Sequence, residues 1–177
     1  MPSTRTFSTE EATPAVLTEI RALLDLAFEG EFTDEDWEHT VGGWHVVVVD
    51  GDVVVSHAAV VPRLLVAGER SLRAGYVEGV ATAPGRQGEG LGTKTMTGAA
   101  TLIRSHFELG ALSTGRPDFY QRLGWERWQG PTFVREGAEL VRTEEDDDGI
   151  MVLRFDSTRD LGLDLSLTCE SRSGDVW

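Results

Sequence analysis

Between Ser71 and His106 a β-branched run gives way to a glycine-rich loop and then to an amphipathic helix, and this succession narrows the possible folds more than any other feature. Ser71 to Thr82 reads as a strand, and Gly85-Arg86-Gln87-Gly88-Glu89-Gly90-Leu91-Gly92 follows Pro84. Leu91, Met96, Ala99, Leu102 and Ile103 then share one face of a helix that begins inside the loop and runs to about His106. Glycines let a backbone approach a ligand closely, and the first N–H groups of a helix have no carbonyl of their own to bond. The arrangement suits an anion, pyrophosphate above all. No Gly-Lys-Ser/Thr completes a Walker loop, and the Rossmann fingerprint with its later acidic ribose ligand is missing, so neither nucleotide fold is expected.

Local signals place the other elements. Thr13 as cap and Pro14 at the first helical position start a helix whose Leu17, Ile20, Leu24, Ala27 and Phe28 bury one face, with Gly30 as its stop. Thr33 with Asp36 three residues on predicts a capping box for a short acidic helix ahead of Gly42-Gly43. Trp44 to Val49 and Val53 to Val61 flank Asp50-Gly51-Asp52, a strong hairpin signal. Further strands are expected at Leu64–Ala67, Ala111–Ser113, from Trp125 to Trp128, at Ile150–Phe155 and at Leu163–Cys169, with a short helix over Pro117–Leu123 ended by Gly124. Helices, a β meander and then alternating strands and helices predict one α+β domain over residues 1–177 around a mixed, mostly antiparallel sheet flanked by helices.

Charge constrains partners. Sixteen Lys and Arg against thirty Asp and Glu give a net charge of −14, which disfavours nucleic acid and anionic membranes and attracts cations. Acidic residues gather at Glu29–Glu38 and in the unbroken run Glu144–Asp148, which by themselves read as solvated loops. The single cysteine, Cys169, permits no internal disulfide and reads as a small buried apolar residue. His39, His45, His57 and His106 lack ligand spacing, so no metal is expected, and His57 reads as a satisfied structural residue. The N-terminal segment has no apolar stretch after a basic start, and no apolar run is long enough to cross a bilayer, so a cytoplasmic location is the expectation.

Three segments together carry a resemblance. The loop Arg86–Gly92 resembles the Gln/Arg-x-x-Gly-x-Gly/Ala motif of the GNAT superfamily of acetyl-CoA-dependent N-acetyltransferases. Tyr76-Val77-Glu78-Gly79-Val80-Ala81-Thr82 resembles that superfamily's pantetheine-pairing strand, and Asp118-Phe119-Tyr120-Gln121-Arg122-Leu123-Gly124-Trp125 its Phe-Tyr-x-x-x-Gly-Phe segment. Outside this middle portion, Gly30–Thr40, Tyr76–Val80, Asp146-Asp147-Asp148-Gly149 and the terminal Gly174-Asp175-Val176-Trp177 are similar to aminoglycoside 2'-N-acetyltransferases.

The resemblance implies the GNAT fold, acetyl-CoA as cosubstrate without a metal, a cationic aminoglycoside acceptor, antibiotic resistance as the use, and a homodimer. Backbone groups of Val80 and Ala81 would meet pantetheine, and the N–H groups of Gln87, Gly88, Gly90, Leu91 and Gly92 the pyrophosphate. Arg86 is a candidate for an added charge-assisted contact, with a solvated surface role as its alternative. Acyl transfer to an amine needs a base, a stabilised oxyanion and a proton for the leaving thiolate. Glu78, a carboxylate in an apolar strand, is the candidate base, against a structural ion pair. The Val80 N–H is the candidate oxyanion donor, and Tyr120 the candidate acid, against a packing aromatic. Ser113 is a weaker candidate for orienting water or the donor. Glu31, Asp36, Glu78, Asp148, Asp175 and the α-carboxylate of Trp177 would hold substrate amines, Glu31 standing where the family leads one to expect aspartate. Thr114–Asp118 departs from the expected lead into the tyrosine. The same pocket chemistry would also suit another cationic amine, such as a cell-wall amino sugar. A non-catalytic acetyl-CoA sensor and a protein that merely sequesters cationic drugs complete the alternatives.

Overall fold

The computed structural model describes residues 1–177, which form two compact units: residues 1–61 with 77–102, and residues 62–76 with 103–177. Two strands, β3 (Val53–Ala67) and β4 (Arg70–Thr82), run through both units, so each contains its own stretch of sheet.

In the first unit, β1 (Ser3–Ser8) pairs antiparallel with β2 (Trp44–Asp50), and β2 pairs antiparallel with β3 across the Asp-Gly turn, with a register shift between Val48 and Val49. Thr13 caps α1 (Pro14–Ala27) by accepting from the Val16 N–H, as its hydroxyl predicts, and Ile20, Leu23 and Leu24 are the buried face. The capping box of α2 (Asp34–Thr40) forms in both directions: Thr33 Oγ1 accepts from the Asp36 N–H at 3.1 Å and Asp36 Oδ2 accepts from the Thr33 N–H at 2.8 Å. Ile20, Leu23, Leu24, Phe32, Val47, Val49, Val54 and Ala81 make up a core cluster. The helix α3 (Leu91–His106) is pinned to β3 by a buried hydroxyl pair, Thr95 Oγ1 donating to Ser56 Oγ at 2.8 Å, while Ser56 donates to the Ala81 carbonyl at 2.9 Å.

In the second unit the strand order is β6-β9-β5-β4-β3-β10-β7-β8. The strands are β5 (Leu109–Ser113), β6 (Glu126–Arg127), β7 (Thr132–Glu136), β8 (Glu139–Arg142), β9 (Ile150–Arg154) and β10 (Leu167–Glu170), with the short helix α4 (Pro117–Gln121) after β5. Pairing is parallel between β4 and β5 over Ala74–Tyr76 and between β10 and β7, and antiparallel for β5–β9, β6–β9, β7–β8 and β10–β3. The sheet is mixed and mostly antiparallel, as the α+β expectation has it. Leu65, Leu72, Tyr76, Leu109, Leu112, Ile150, Met151 and Leu167 are fully buried.

Several elements differ from expectation, beginning with the strands expected at Val53–Val61 and Leu64–Ala67, which are one continuous strand, β3. β1 is a polar strand, STRTFS, four of whose residues are exposed, so it carries little hydrophobic signal. The β7–β8 hairpin also escapes sequence reading, because every residue of β8 faces solvent. Conversely, Leu163 does not belong to β10, because its carbonyl accepts from the N–H groups of Gln129 and Gly130 at 2.8 and 3.1 Å. That pairing takes the segment out of the ladder.

Candidate active site

The end of β4 is where the first unit departs from regular strand. Gly79 has φ +56°, a conformation that only glycine adopts without strain, and a Cβ there would stand 2.9 Å from Thr40 Cγ2. Val77 is buried, then Glu78, Gly79 and Val80 are partly exposed, then Ala81 is buried again. The break therefore brings one carboxylate and one backbone segment toward the surface of an otherwise buried strand. The predicted base, oxyanion donor and pantetheine contacts all lie on it.

The loop that follows turns tightly, with Arg86 N–H donating to the Ala83 carbonyl at 2.9 Å. Gly88 and Gly90 have φ +85° and +78°, and a Cβ on either would meet nothing within 4 Å, so the space over the loop is open. The Lys94 N–H donates to the Gly90 carbonyl at 3.1 Å and opens the helical ladder, so the turn before it presents N–H groups at the positive end of a sixteen-residue helix. These features fit a pyrophosphate cradle. Arg86, a candidate for the same anion, is tied by Nε to both oxygens of Glu89 at 2.8 and 2.9 Å and by Nη2 to Asp50 at 3.1 Å. Its guanidinium joins the loop to the end of β2. Glu31 is exposed, and Asp36 is partly buried with one oxygen used in the α2 cap.

The second unit holds the other predicted residues. Tyr120 on α4 is 7% exposed, packed edge-on to Phe119 and Trp125. Burial pushes its phenol up to about 12, against the opposing pull of a Thr114 hydrogen bond and the Arg116 charge, so it is protonated at neutral pH. Thr114 also accepts from the Arg116 N–H at 2.9 Å, forming the turn that feeds Pro117 into α4. The unusual 114–118 segment thus makes a compact lead into the tyrosine. Ser113, at the exposed end of β5, lies opposite Ile150.

The acidic run is not uniform. Asp148 is exposed, whereas the carboxylate of Asp147 accepts from the Thr132 N–H and Oγ1, each at 2.9 Å, and from Arg142 Nη1 at 2.7 Å, and Arg142 Nη2 donates to its other oxygen. Arg142 above all holds this carboxyl down to about 2. Asp147, which sequence reading leaves in solvent, is a fixed structural anion. Asp146 moves the other way, raised first by burial and then by Glu145, Asp175 and Asp147. Trp177 is 5% exposed, and its indole Nε1 donates to Thr143 Oγ1 at 3.0 Å, while Thr143 Oγ1 meets Thr132 Oγ1 at 2.7 Å. Arg142, Asp147, Thr132, Thr143 and Trp177 therefore make one hydrogen-bonded chain, with Asp146 and Asp175 as electrostatic neighbours beside it. Thr132, Thr143 and Arg142 carry no sequence signal of this role, since threonine in a strand is ordinary.

The family described as "Acetyltransferase (GNAT) domain" matches residues 8–128, which include the β4 break, the glycine loop and the tyrosine segment. The chain belongs to the GNAT acetyltransferase family. A relative within it, the aminoglycoside 2'-N-acetyltransferase of Mycolicibacterium fortuitum, is 43% identical over 162 residues, covering 89% of this chain and 83% of that protein. Solved structures share the GNAT fold at lower identity. YhbS of Escherichia coli, in complex with CoA, matches at TM-score 0.69 and 17% identity over 98% of this chain and 93% of its own. A probable N-acyltransferase of Enterococcus faecalis matches at TM-score 0.60 and 20% identity over 72% of this chain, which spans 33% of that longer protein. No helix of this GNAT chain is long and apolar enough to cross a membrane, and no group of three or more His, Cys, Asp or Glu stands placed to hold a metal ion.

Proposed function

We propose that this GNAT chain transfers the acetyl group of acetyl-CoA to the 2'-amino group of an aminoglycoside, by direct attack in a ternary complex. The observation that carries the reading is the 43% identity, over nearly the whole chain, to an aminoglycoside 2'-N-acetyltransferase. The acid-rich C-terminal portion and the net charge of −14 support a polycationic acceptor.

In this reading the glycine loop and the α3 N-terminus hold the pyrophosphate, and Val80 and Ala81 the pantetheine arm. Glu78 takes a proton from the substrate ammonium, directly or through water, which frees the nitrogen lone pair. That nitrogen attacks the thioester carbon, a C–N bond forms, and the carbonyl electrons move onto oxygen, where the Val80 N–H stabilises them. Collapse breaks the C–S bond, and the thiolate takes the proton of Tyr120, whose phenol is un-ionised at neutral pH. The second proton that the nitrogen sheds on becoming an amide restores that phenol, and the proton on Glu78 passes to solvent. Asp148, Asp175 and Trp177 hold the remaining substrate amines, with Glu31 and Asp36 as further candidates.

The test is to follow thiol release and product mass with acetyl-CoA and a panel of 2'-amino aminoglycosides beside their 2'-hydroxy analogues. Turnover confined to the 2'-amino compounds is the expected result. Turnover on other cationic amines alone would move the reading to another acceptor. Acetyl-CoA binding without turnover on any amine would make the chain a sensor.

A further inference from the structure

Two histidines are completely buried in the sheet of the first unit, and the acyl-transfer roles proposed for Glu78 and Val80 use neither. His57 and His45 are both 0% exposed, on β3 and β2, and they belong to a linear hydrogen-bond chain. His57 Nδ1 lies 2.7 Å from the carbonyl oxygen of Gly79, His57 Nε2 lies 2.9 Å from His45 Nδ1, and His45 Nε2 lies 3.0 Å from Thr9 Oγ1. The Gly42 N–H donates to Thr9 Oγ1 at 3.1 Å and closes the chain at its outer end.

The direction of every bond follows from one fixed point. A carbonyl oxygen can only accept, so His57 carries its proton on Nδ1. In a neutral ring Nε2 is then bare and accepts from His45 Nδ1–H. His45 Nε2 is bare in turn and accepts from the Thr9 hydroxyl at 3.0 Å, closer than that hydroxyl's other acceptor, the Gly43 carbonyl at 3.3 Å. Burial keeps both rings neutral, holding His45 down at about 4 and His57 at about 3. All donors thus point inward, toward Gly79.

The carbonyl that receives this chain belongs to the same peptide group as the Val80 N–H. In a trans peptide the C=O and N–H point to opposite sides, and no peptide bond here is cis. A hydrogen bond to the carbonyl shifts electron density away from nitrogen, so the N–H becomes a stronger donor, and successive bonds reinforce one another by ~10–30% each. The same bond fixes the plane of a peptide that the left-handed Gly79 would otherwise leave free to rotate, while Thr40 and Leu24 pack behind it. We infer that His57, held in its Nδ1–H form by His45 and Thr9, polarises and orients the Gly79–Val80 peptide and so strengthens the N–H that meets the thioester oxygen. His57 is a positioning residue acting through the backbone. The inference rests on the proposed role of the Val80 N–H.

The experiment compares wild type with His57→Phe, which keeps a ring and removes the donor, and His57→Asn, whose amide N–H can stand where Nδ1 stood. Three quantities are read: kcat, the dissociation constant of acetyl-CoA, and the infrared carbonyl band of bound acetyl-CoA carrying 13C in the acetyl carbonyl. Expected are a carbonyl band lowered on binding to wild type, a smaller lowering with H57F, and about a tenfold fall in kcat. Acetyl-CoA affinity should stay within about twofold, and H57N should regain most of both losses. An unchanged kcat in folded H57F overturns the inference. So does a fall in kcat with the band where wild type has it, since that is the mark of a structural role. If the band does not move even in wild type, the role of the Val80 N–H itself fails, and this inference falls with it. Should H57F not fold, 15N NMR of the wild-type rings decides: both must be Nδ1–H tautomers at neutral pH, and an Nε2–H tautomer at either overturns the chain.

Discussion

Asp146, Asp147 and Asp148 are three consecutive identical side chains in three electrostatic states. Asp147 is held at about 2 by Arg142 and Thr132, Asp146 is raised by burial and its acidic neighbours, and Asp148 faces solvent. The ion pair that lowers Asp147 contributes stability that is complete above the ordinary carboxyl value of 3.8 and fades as pH falls through about 2. At the other end of the network, Thr143→Val leaves the Trp177 indole N–H buried without its acceptor, for a loss of about 1–3 kcal/mol in urea unfolding. The same variant should raise the aminoglycoside KM and leave the acetyl-CoA KM unchanged, and Thr143→Ser should restore both. Equal rises in the two KM values would mean general unfolding. The buried histidines have the opposite charge habit and the same sign of linkage. Free in an unfolded chain they titrate at 6.5, but folded they stay neutral down to about 4 and 3. The unfolded state therefore binds more protons between these limits, so stability is complete above pH 6.5 and declines below it. Urea midpoints measured from pH 7.5 to 4.5 should fall with acid, and His57→Asn should flatten that fall.

At the scale of elements, the glycine loop and α3 act as one part. Gly90 has φ +78° and open space where its Cβ would be, so Gly90→Ala carries the left-handed penalty of about 1–2 kcal/mol and nothing from clash. The added methyl also stands in the space a pyrophosphate would enter. Acetyl-CoA binding by calorimetry should weaken about tenfold or more, with the melting temperature lowered only by the backbone strain. Unchanged affinity would place the pyrophosphate elsewhere. The elements legible in the sequence were those with local causes: the Thr13-Pro14 start of α1, the Thr33–Asp36 box of α2 and the Asp-Gly hairpin. β1 and β8 were not, because their residues are mostly polar or exposed and owe their strand form to a neighbour: Ser3–Ser8 to β2, Glu139–Arg142 to β7.

For the whole molecule, a net charge of −14 makes encounter with a polycation fast at low salt and slow at high salt. Raising ionic strength from about 0.02 to about 0.5 M should lower kcat/KM for the aminoglycoside several-fold. The same change should leave kcat nearly constant, since a bound substrate is already screened from salt. A salt-independent kcat/KM would show that the overall field does not steer the substrate.

The sequence alone was enough for the elements with local start and turn signals, for the glycine loop and for the motifs of the family resemblance, because each of these is written in residues close together along the chain. It also held the candidate base and acid, Glu78 and Tyr120, as recognisable positions. Only the tertiary structure decided which aspartate of three is locked, that His45 and His57 meet in one buried chain, and that Arg86 is spent on Glu89 and Asp50. Those states depend on partners that arrive from distant segments: Thr132 and Arg142 beside Asp147, Gly79 beside His57, Thr9 beside His45. A side chain's charge and tautomer are set by the dielectric and the hydrogen bonds around it, and folding alone assembles these.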